Sequence, residues 1–230
     1  MTKAFVAGAT GLTGREVVRV LRGQGIETVA HVRPDSSKLA DWTQTFEALG
    51  ARVDTSAWTP EAMAATMEIE KPTLVFSLLG TTRKRQSRSD DPAANSYEAV
   101  DYGLSHLLLE AAARAGSPRF VYLSSVGADK PRGPYLDVRK RIEDELRAGS
   151  LPWTSVRPAI IHGDRDDTRP GEALGKVMGD AFFAVAGALG AGTFRDKWRS
   201  IHASDLAAAI VRHALDPASE NRAFTAEALR

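Results

Sequence analysis

Residues 5–14 read Phe5-Val6-Ala7-Gly8-Ala9-Thr10-Gly11-Leu12-Thr13-Gly14, and this stretch decides the fold of the chain. An apolar run leads into a turn with three glycines, and apolar side chains then recur at helical spacing. Glycines let a backbone approach an anion closely, and the N–H groups at a helix start point at it along the favourable dipole. A strand, a glycine turn and a helix in this order predict a dinucleotide site, with a purely structural turn as the alternative.

We assign the cofactor contacts of this turn to its glycines and their neighbours. They are Gly8, Thr10, Gly11, Leu12, Thr13 and Gly14. The last of the three glycines is expected to let the helix pack close to the strand.

The composition limits the class of protein. The chain has 230 residues, of which 43% are hydrophobic, and a net charge of +1, so we expect one domain with no attraction to nucleic acid or to an anionic membrane. The absence of cysteine excludes disulfides, thiol catalysis and zinc–thiolate sites. No run approaches the roughly 20 apolar residues of a membrane span, and the first strand begins too early for a signal peptide. We therefore expect a cytoplasmic protein.

Strand-like and helical patterns alternate along most of the chain. Strands are predicted at 3–8, 27–33, 51–54, 73–79, 119–124 and 154–161, and helices at 12–23, 38–49, 60–69, 92–115 and 134–148. Such alternation predicts an α/β fold, a doubly wound parallel sheet of the Rossmann type with helices on both faces. We expect a single NAD(P)-binding domain over 1–230, in which residues 162–200 form a small C-terminal extension on the substrate side.

The end of the second predicted strand bears on the choice of cofactor. NAD sites place an acidic residue there for the ribose 2′-hydroxyl, whereas NADP sites supply a cation for the 2′-phosphate. This strand ends in Arg33, and Asp35 follows two residues later. The pattern favours NADP(H), with Lys38 and Arg15 as secondary phosphate contacts. A solvated charge at the strand end is the alternative reading of Arg33.

Several segments beyond the glycine turn resemble the atypical and extended short-chain dehydrogenase/reductase superfamily. The turn has its G-x-x-G-x-x-G signature, and the other segments are 79–83, 123–130, 135–139, 157–158 and 164–172. Within the superfamily the chain is most similar to the HIV Tat-interacting oxidoreductase and NmrA-like NAD(P)-binding group. The resemblance adds further cofactor contacts after the later strands. These are Asp54, Leu79, Gly80, Thr81 and Pro158.

The resemblance also implies the chemistry, in which a serine holds the substrate oxygen, a tyrosine exchanges its proton, and a lysine four residues later assists. Ser125 and Tyr135 match the first two positions, with Ser124 as an alternative to Ser125. Arg139 stands where the lysine is expected. Lys140 follows Tyr135 by five residues, so on a helix its side chain points about 140° away from that of Tyr135. An arginine can favour the phenolate by its charge and bond ribose hydroxyls, but it cannot pass a proton.

Together with the resemblance, these residues predict an NADP(H)-dependent oxidoreductase acting on a small-molecule substrate, a small carbonyl or related compound. Related proteins occur as monomers and as dimers, so a monomer or homodimer is expected. The alternative is an NADP(H)-binding regulator or sensor with weak or no catalysis, which Arg139 favours.

The basic run at 83–88 is read as a solvated loop or a lid at the cleft mouth. We expect no metal site, because the His and Asp residues near 162 and 202 lack ligand spacing. The stretch 201–207 is expected to start a helix capped by Ser204 or Asp205.

Overall fold

A computed structural model describes residues 1–81, 87, 90–163 and 200–229. Within these residues, seven strands form one sheet. They are β1 (Lys3–Ala7), β2 (Glu27–His31), β3 (Arg52–Asp54), β4 (Leu74–Ser77), β5 (Phe120–Leu123), β6 (Trp153–Arg157) and β9 (Arg222–Thr225). Two short strands, β7 (Ile161–His162) and β8 (Ile201–His202), pair with each other.

Helices connect the strands. They are α1 (Leu12–Gly23), α2 (Leu39–Ala48), α3 (Pro60–Glu70), α4 (Leu104–Arg114), α5 (Pro134–Ala148) and α6 (Ala203–Leu215). A π-helical segment, Tyr97–Gly103, runs directly into α4. Short 3-10 turns at Pro217–Ser219 and Ala226–Leu229 flank β9.

The sheet has the order β3-β2-β1-β4-β5-β6-β9, and all of its pairs are parallel. The first three strands are therefore added toward one edge of the sheet, and the strands from β4 onward are added toward the other edge. The point of reversal, between β1 and β4, is where ligands bind in doubly wound sheets. Because side chains alternate along each strand, Val6 packs into the core layer that contains α1, α2 and α6, whereas Phe5 packs into the layer that contains α3, α4 and α5. The predicted α/β fold is confirmed.

Several predicted boundaries were wrong. The second strand, expected to end at Arg33, ends at His31, and the fourth, expected to end at Leu79, ends at Ser77. The strand expected at 154–161 ends at Arg157, before Pro158, which cannot donate to a ladder. The helix expected at 92–115 begins at Tyr97, where the Ser96 hydroxyl accepts the Ala99 N–H and caps the segment. Helix α6 is capped neither by Ser204 nor by Asp205.

The cap of α6 is the side chain of His202. Its Nδ1 accepts the N–H of Ser204 at 3.3 Å, so an imidazole does what a hydroxyl or a carboxylate was expected to do. The strands β7 and β8 pair in parallel just before this helix, with His162 opposite His202.

Most of the predicted extension at 162–200 lies outside the described residues, which stop at 163 and resume at 200. The basic run at 83–88, apart from Ser87, also lies outside them. In the part of the chain that is described, no helix combines the length and the apolar character needed to cross a bilayer.

Candidate functional site

The glycine turn joins β1 to α1 with almost no space for side chains. Gly8 has a positive φ of 80°, and a Cβ placed on it would lie 2.6 Å from the carbonyl oxygen of Leu78, which follows β4. A Cβ on Gly14 would lie only 2.1 Å from the carbonyl oxygen of Gly8. Larger residues at either position would push the turn away from the sheet.

The N-terminus of α1 is suited to an anion. Gly11 is its N-cap residue, and among the described residues no side chain caps it and no acidic side chain occupies its first turn. Four N–H groups at a helix start lack partners within the helix, and the helix dipole adds partial positive charge there. A phosphate group of a dinucleotide fits this cradle on both charge and space.

A cleft of about 190 Å³ opens beside this turn, between the carboxyl ends of β4, β5 and β6. Its walls contain predicted residues from both halves of the site. They are Gly11, Leu12, Thr13, Leu79, Gly80, Ser125, Tyr135, Arg139 and Pro158. The fold thus brings the glycine turn to the same cleft as the serine and tyrosine positions, which are more than 100 residues away in sequence.

Both candidate serines border the cleft. Ser125 is partly exposed, and its hydroxyl lies 3.4 Å from the carbonyl oxygen of Val126. Ser124 is almost fully buried at the end of β5. The choice between them remains a prediction, in which Ser125 is favoured by its exposure.

Tyr135 lies in the first turn of α5 and is half-buried. Its ring packs against that of Tyr97, with centroids 5.2 Å apart. The guanidinium carbon of Arg139 lies 5.3 Å from the centroid of the Tyr135 ring. A cation therefore sits beside the candidate proton donor, as the sequence predicts.

Arg139 is only 4% exposed, and carbonyl groups hold it in place. Its Nη1 donates to the carbonyl of Leu123 at 2.7 Å, and its Nη2 donates to that of Leu79 at 3.1 Å. Nη2 also donates to the carboxylate of Asp101. The side chain thereby ties the ends of β4 and β5 to the π-helical segment.

The charge of Arg139 is retained in the buried site. Burial acts to lower the pKa of Arg139, but the neighbouring Tyr122, Tyr135 and Asp101 raise it above its usual value. Arg139 therefore remains protonated and does not exchange protons at neutral pH.

Asp101 is a site residue that the sequence analysis missed. It is fully buried, and its Oδ2 accepts the backbone N–H of Thr81 at 2.9 Å while Oδ1 accepts from Arg139. A signal was present, because Asp101 follows Tyr97 by four residues and precedes Leu104 by three, which puts it on the apolar face of the helical pattern. An acidic residue on such a face requires a buried partner.

The residues predicted for the adenosine half lie at the ends of β2 and β3. The Arg33 side chain is 48% exposed, and its Nη1 is 3.5 Å from the Asp35 carboxylate. Asp54 accepts the N–H of Ser56 at 3.2 Å and its hydroxyl at 2.7 Å, which is a turn-forming arrangement. Arg15 packs over the ring of Trp42, at 5.6 Å from its centroid.

Residues 8–217 match the NAD(P)H-binding family. The chain belongs to this family. As an NAD(P)H-binding protein it also has curated relatives over most of its length. The Fmp52 protein of Emericella nidulans is 30% identical over 207 residues, which cover 86% of this chain and 81% of that protein. The Fmp52-1 protein of Aspergillus terreus is 28% identical over 204 residues, with the same coverage.

Solved structures with the same fold include enzymes that use NAD. A Bacillus halodurans protein assigned as an NAD-dependent epimerase/dehydratase superposes with a TM-score of 0.70 at 20% identity, covering 97% of this chain and 92% of that one. UDP-glucose 4-epimerase from Brucella ovis, in complex with NAD, superposes with a TM-score of 0.66 at 17% identity, covering 100% and 81%. At these identities the likeness shows the fold alone.

The curated relatives correct one prediction. Both Fmp52 proteins are named mitochondrial, as are those of Aspergillus niger and other fungi. The expected cytoplasmic location was therefore wrong. It rested on composition and on the start of the chain, which carry little information about the compartment.

Proposed function

We propose that this chain is an NADP(H)-dependent oxidoreductase of the short-chain dehydrogenase type that acts on a small carbonyl or related substrate. The observation that supports this most is that a single cleft is lined by the glycine turn and by Ser125 and Tyr135. A binding protein requires only the first of these features, whereas hydride transfer to a carbonyl requires both.

Each part of the cleft has a proposed role. The N-terminus of α1 at Gly11 binds the pyrophosphate, and Gly80 and Pro158 border the nicotinamide half. The bound cofactor supplies or accepts a hydride. Ser125 donates a hydrogen bond to the substrate oxygen, and Tyr135 gives that oxygen a proton as the hydride arrives.

NADP(H) is the proposed cofactor because of Arg33. Its exposed guanidinium at the end of β2 is suited to bidentate bonds with a 2′-phosphate. The nearby Asp35 pairs with Arg33, so its carboxylate is held beside a cation rather than presented alone to a ribose hydroxyl.

A second function, an NADP(H)-binding regulator related to the NmrA-like group, is favoured by the surroundings of Arg139. Its N–H groups donate to Leu79, Leu123 and Asp101 and hold the loops beside the cleft in place. A protein that only binds the cofactor would need these contacts as well. In that case the cleft would bind the cofactor and transfer no hydride.

The two functions are separated by following NADPH absorbance at 340 nm with a panel of aldehydes, ketones and quinones, while NADPH affinity is measured in parallel. We expect substrate-dependent oxidation of NADPH by at least one class of carbonyl. Tight NADPH binding without turnover over the whole panel would overturn the oxidoreductase proposal in favour of the regulator.

A further inference from the structure

The π-helical segment Tyr97–Gly103 contributes two side chains to the site. The ring of Tyr97 packs on that of Tyr135, and Asp101 contacts Arg139. A π-helical turn is rare and often occurs at functional sites, because it redirects side chains that a regular α-helix would present elsewhere. Neither side chain was assigned a role by the proposed mechanism.

Asp101 is held by two different elements of the site. One carboxylate oxygen accepts the Thr81 amide at 2.9 Å, and the other accepts from Arg139, which in turn binds the carbonyl of Leu79. The peptide groups on both sides of Gly80 are therefore fixed by one buried ion pair. Because Gly80 lines the cleft, this pair determines how its backbone meets a bound cofactor.

The space around Gly80 agrees with this arrangement. A Cβ there would lie 2.8 Å from Nη2 of Arg139 and 3.4 Å from Oδ1 of Asp101. The ion pair passes directly behind the backbone of the loop. Replacing a buried ion pair by well-packed apolar residues often leaves the free energy of unfolding unchanged or increases it. Stability alone therefore does not explain this ion pair, and a role in the site does.

We propose that Asp101 is a positioning residue, which orients the Leu79–Thr81 loop for the cofactor and offsets the charge of Arg139 beside Tyr135. The second half of this statement rests on the proposed oxidoreductase function. The first half requires only that the loop contacts the cofactor.

The electrostatic half follows from the groups that face Tyr135. Among the described residues, Arg139 on the same helix and Tyr97 on the π-helical segment pack against the Tyr135 ring, and Tyr122 on β5 and Asp101 contact Arg139. Burial raises the pKa of Tyr122 to about 12, so it stays neutral. Burial raises the pKa of Asp101, against the opposing effects of Arg139 and the Thr81 amide, and the Asp101 carboxylate is the acidic partner that faces the Arg139 cation. Without the carboxylate, the positive charge of Arg139 beside Tyr135 would be left unbalanced.

The test compares Asp101→Asn with Glu98→Gln. Glu98 lies in the same π-helical segment, but it is exposed and pairs with Arg141 at 2.8 Å on the surface. Two quantities are measured for each variant: the dissociation constant for NADPH, by fluorescence, and the pH profile of carbonyl-dependent NADPH oxidation.

We expect Asp101→Asn to weaken NADPH binding roughly tenfold, the effect of losing one charge-assisted interaction. The pH profile of turnover should also change, because the charge of Arg139 beside the candidate proton donor is no longer balanced. Glu98→Gln should change neither quantity. A wild-type dissociation constant in folded Asp101→Asn would overturn the positioning role, and an unmoved pH profile would overturn the electrostatic one.

Two further results of the experiment also decide between the proposals: an inactive wild-type protein and an Asp101→Asn variant that does not fold. If the wild-type chain shows no turnover, the proposed function fails, yet the NADPH dissociation constants still decide the positioning role. If Asp101→Asn does not fold, Arg139→Lys replaces it, because lysine keeps both charges but cannot reproduce the planar set of bonds to Leu79 and Leu123. Unchanged NADPH affinity in that variant would overturn the positioning role.

Discussion

Arg33 is the residue on which the proposed cofactor preference depends. Its side chain is 48% exposed, and its partner Asp35 is 72% exposed at 3.5 Å. An exposed pair of this kind contributes little free energy, so a 2′-phosphate can compete for the guanidinium at little cost. The same pair explains why an acidic residue near β2 need not imply NAD.

Replacing Arg33 with Ala should weaken NADPH binding far more than NADH binding, by roughly tenfold or more for NADPH, because only NADPH carries the 2′-phosphate. Isothermal titration with both cofactors measures the difference. Arg52→Ala is a matched control, since Arg52 is similarly exposed (57%) but begins β3, at the amino end of the strand beside β2 rather than at the carboxyl end. Equal losses of NADPH and NADH affinity in Arg33→Ala would contradict the assigned role.

At the scale of elements, the unit β1–turn–α1 depends on how closely the helix approaches the strand. A Cβ on Gly14 would meet backbone atoms of Gly8 and Ala9 at 2.1 and 2.8 Å, and these cannot move aside as a flexible side chain would. Gly23, at the end of the same helix, has no atom within 4 Å of its Cβ position.

We therefore expect Gly14→Ala to lower the free energy of unfolding by about 2 kcal/mol or more and to abolish NADPH binding, since the turn must shift. Gly23→Ala should instead stabilise the protein by roughly 0.5–1 kcal/mol, because alanine is the better helix former. Urea unfolding of the two variants makes the comparison. Similar stabilities for the two would show that close packing at the turn does not matter.

Helix α5 is fastened to β6 by Glu143, which is fully buried. Its carboxylate accepts from the hydroxyl of Ser155 and from Nε of Arg157, both at 2.8 Å, and from Arg147 at 2.8 Å. Burial acts to raise the pKa of Glu143, but the hydrogen bonds and charge of Arg157, together with the hydrogen bond from Ser155, lower it below its usual value. The network ends one residue before Pro158, at the cleft.

A carboxylate with a lowered pKa in the folded state contributes stability above its unfolded pKa, near 4.5, and this contribution is lost as the pH falls through the folded value. Glu143→Gln should therefore be less stable than wild type at pH 7, and the gap should narrow as the pH drops below about 4.5. Urea unfolding between pH 3 and 7 measures this, with Glu47→Gln on the exposed side of α2 as the control. A gap that stays constant with pH would refute the account.

The sequence predicted the elements better than their details. The glycine turn and the alternation of strands and helices were sufficient for the sheet, because these patterns have few alternatives. The π-helical start of the segment before α4 was missed, because the apolar pattern of one short helical segment does not distinguish i→i+5 from i→i+4 hydrogen bonding. The ion pair of Asp101 with Arg139 was also missed, because its partners lie 38 residues apart and only the folded chain brings them together.

At the scale of the whole molecule, the site joins segments from most of the chain. The turn after β1, the loop after β4, the end of β5 and the start of α5 all border the same cleft. A cofactor that binds there contacts only the folded state and must therefore stabilise the entire domain.

NADPH at 100 times its dissociation constant should stabilise the protein by about 2.7 kcal/mol, which corresponds to a rise in Tm of roughly 5–10 °C for a chain of this size. Differential scanning fluorimetry over a range of NADPH concentrations measures the rise. The Gly14→Ala variant is expected to show none. A Tm independent of NADPH in the wild-type protein would argue against the site.

The most direct test of the proposed chemistry is the turnover of Tyr135→Phe with a carbonyl that the wild-type protein reduces. Phenylalanine keeps the ring that packs on Tyr97 and beneath Arg139, and it removes only the hydroxyl. The account predicts that kcat falls by about 100-fold or more, the usual contribution of a positioned proton donor, while the dissociation constant for NADPH is unchanged. Wild-type kcat in Tyr135→Phe would contradict it.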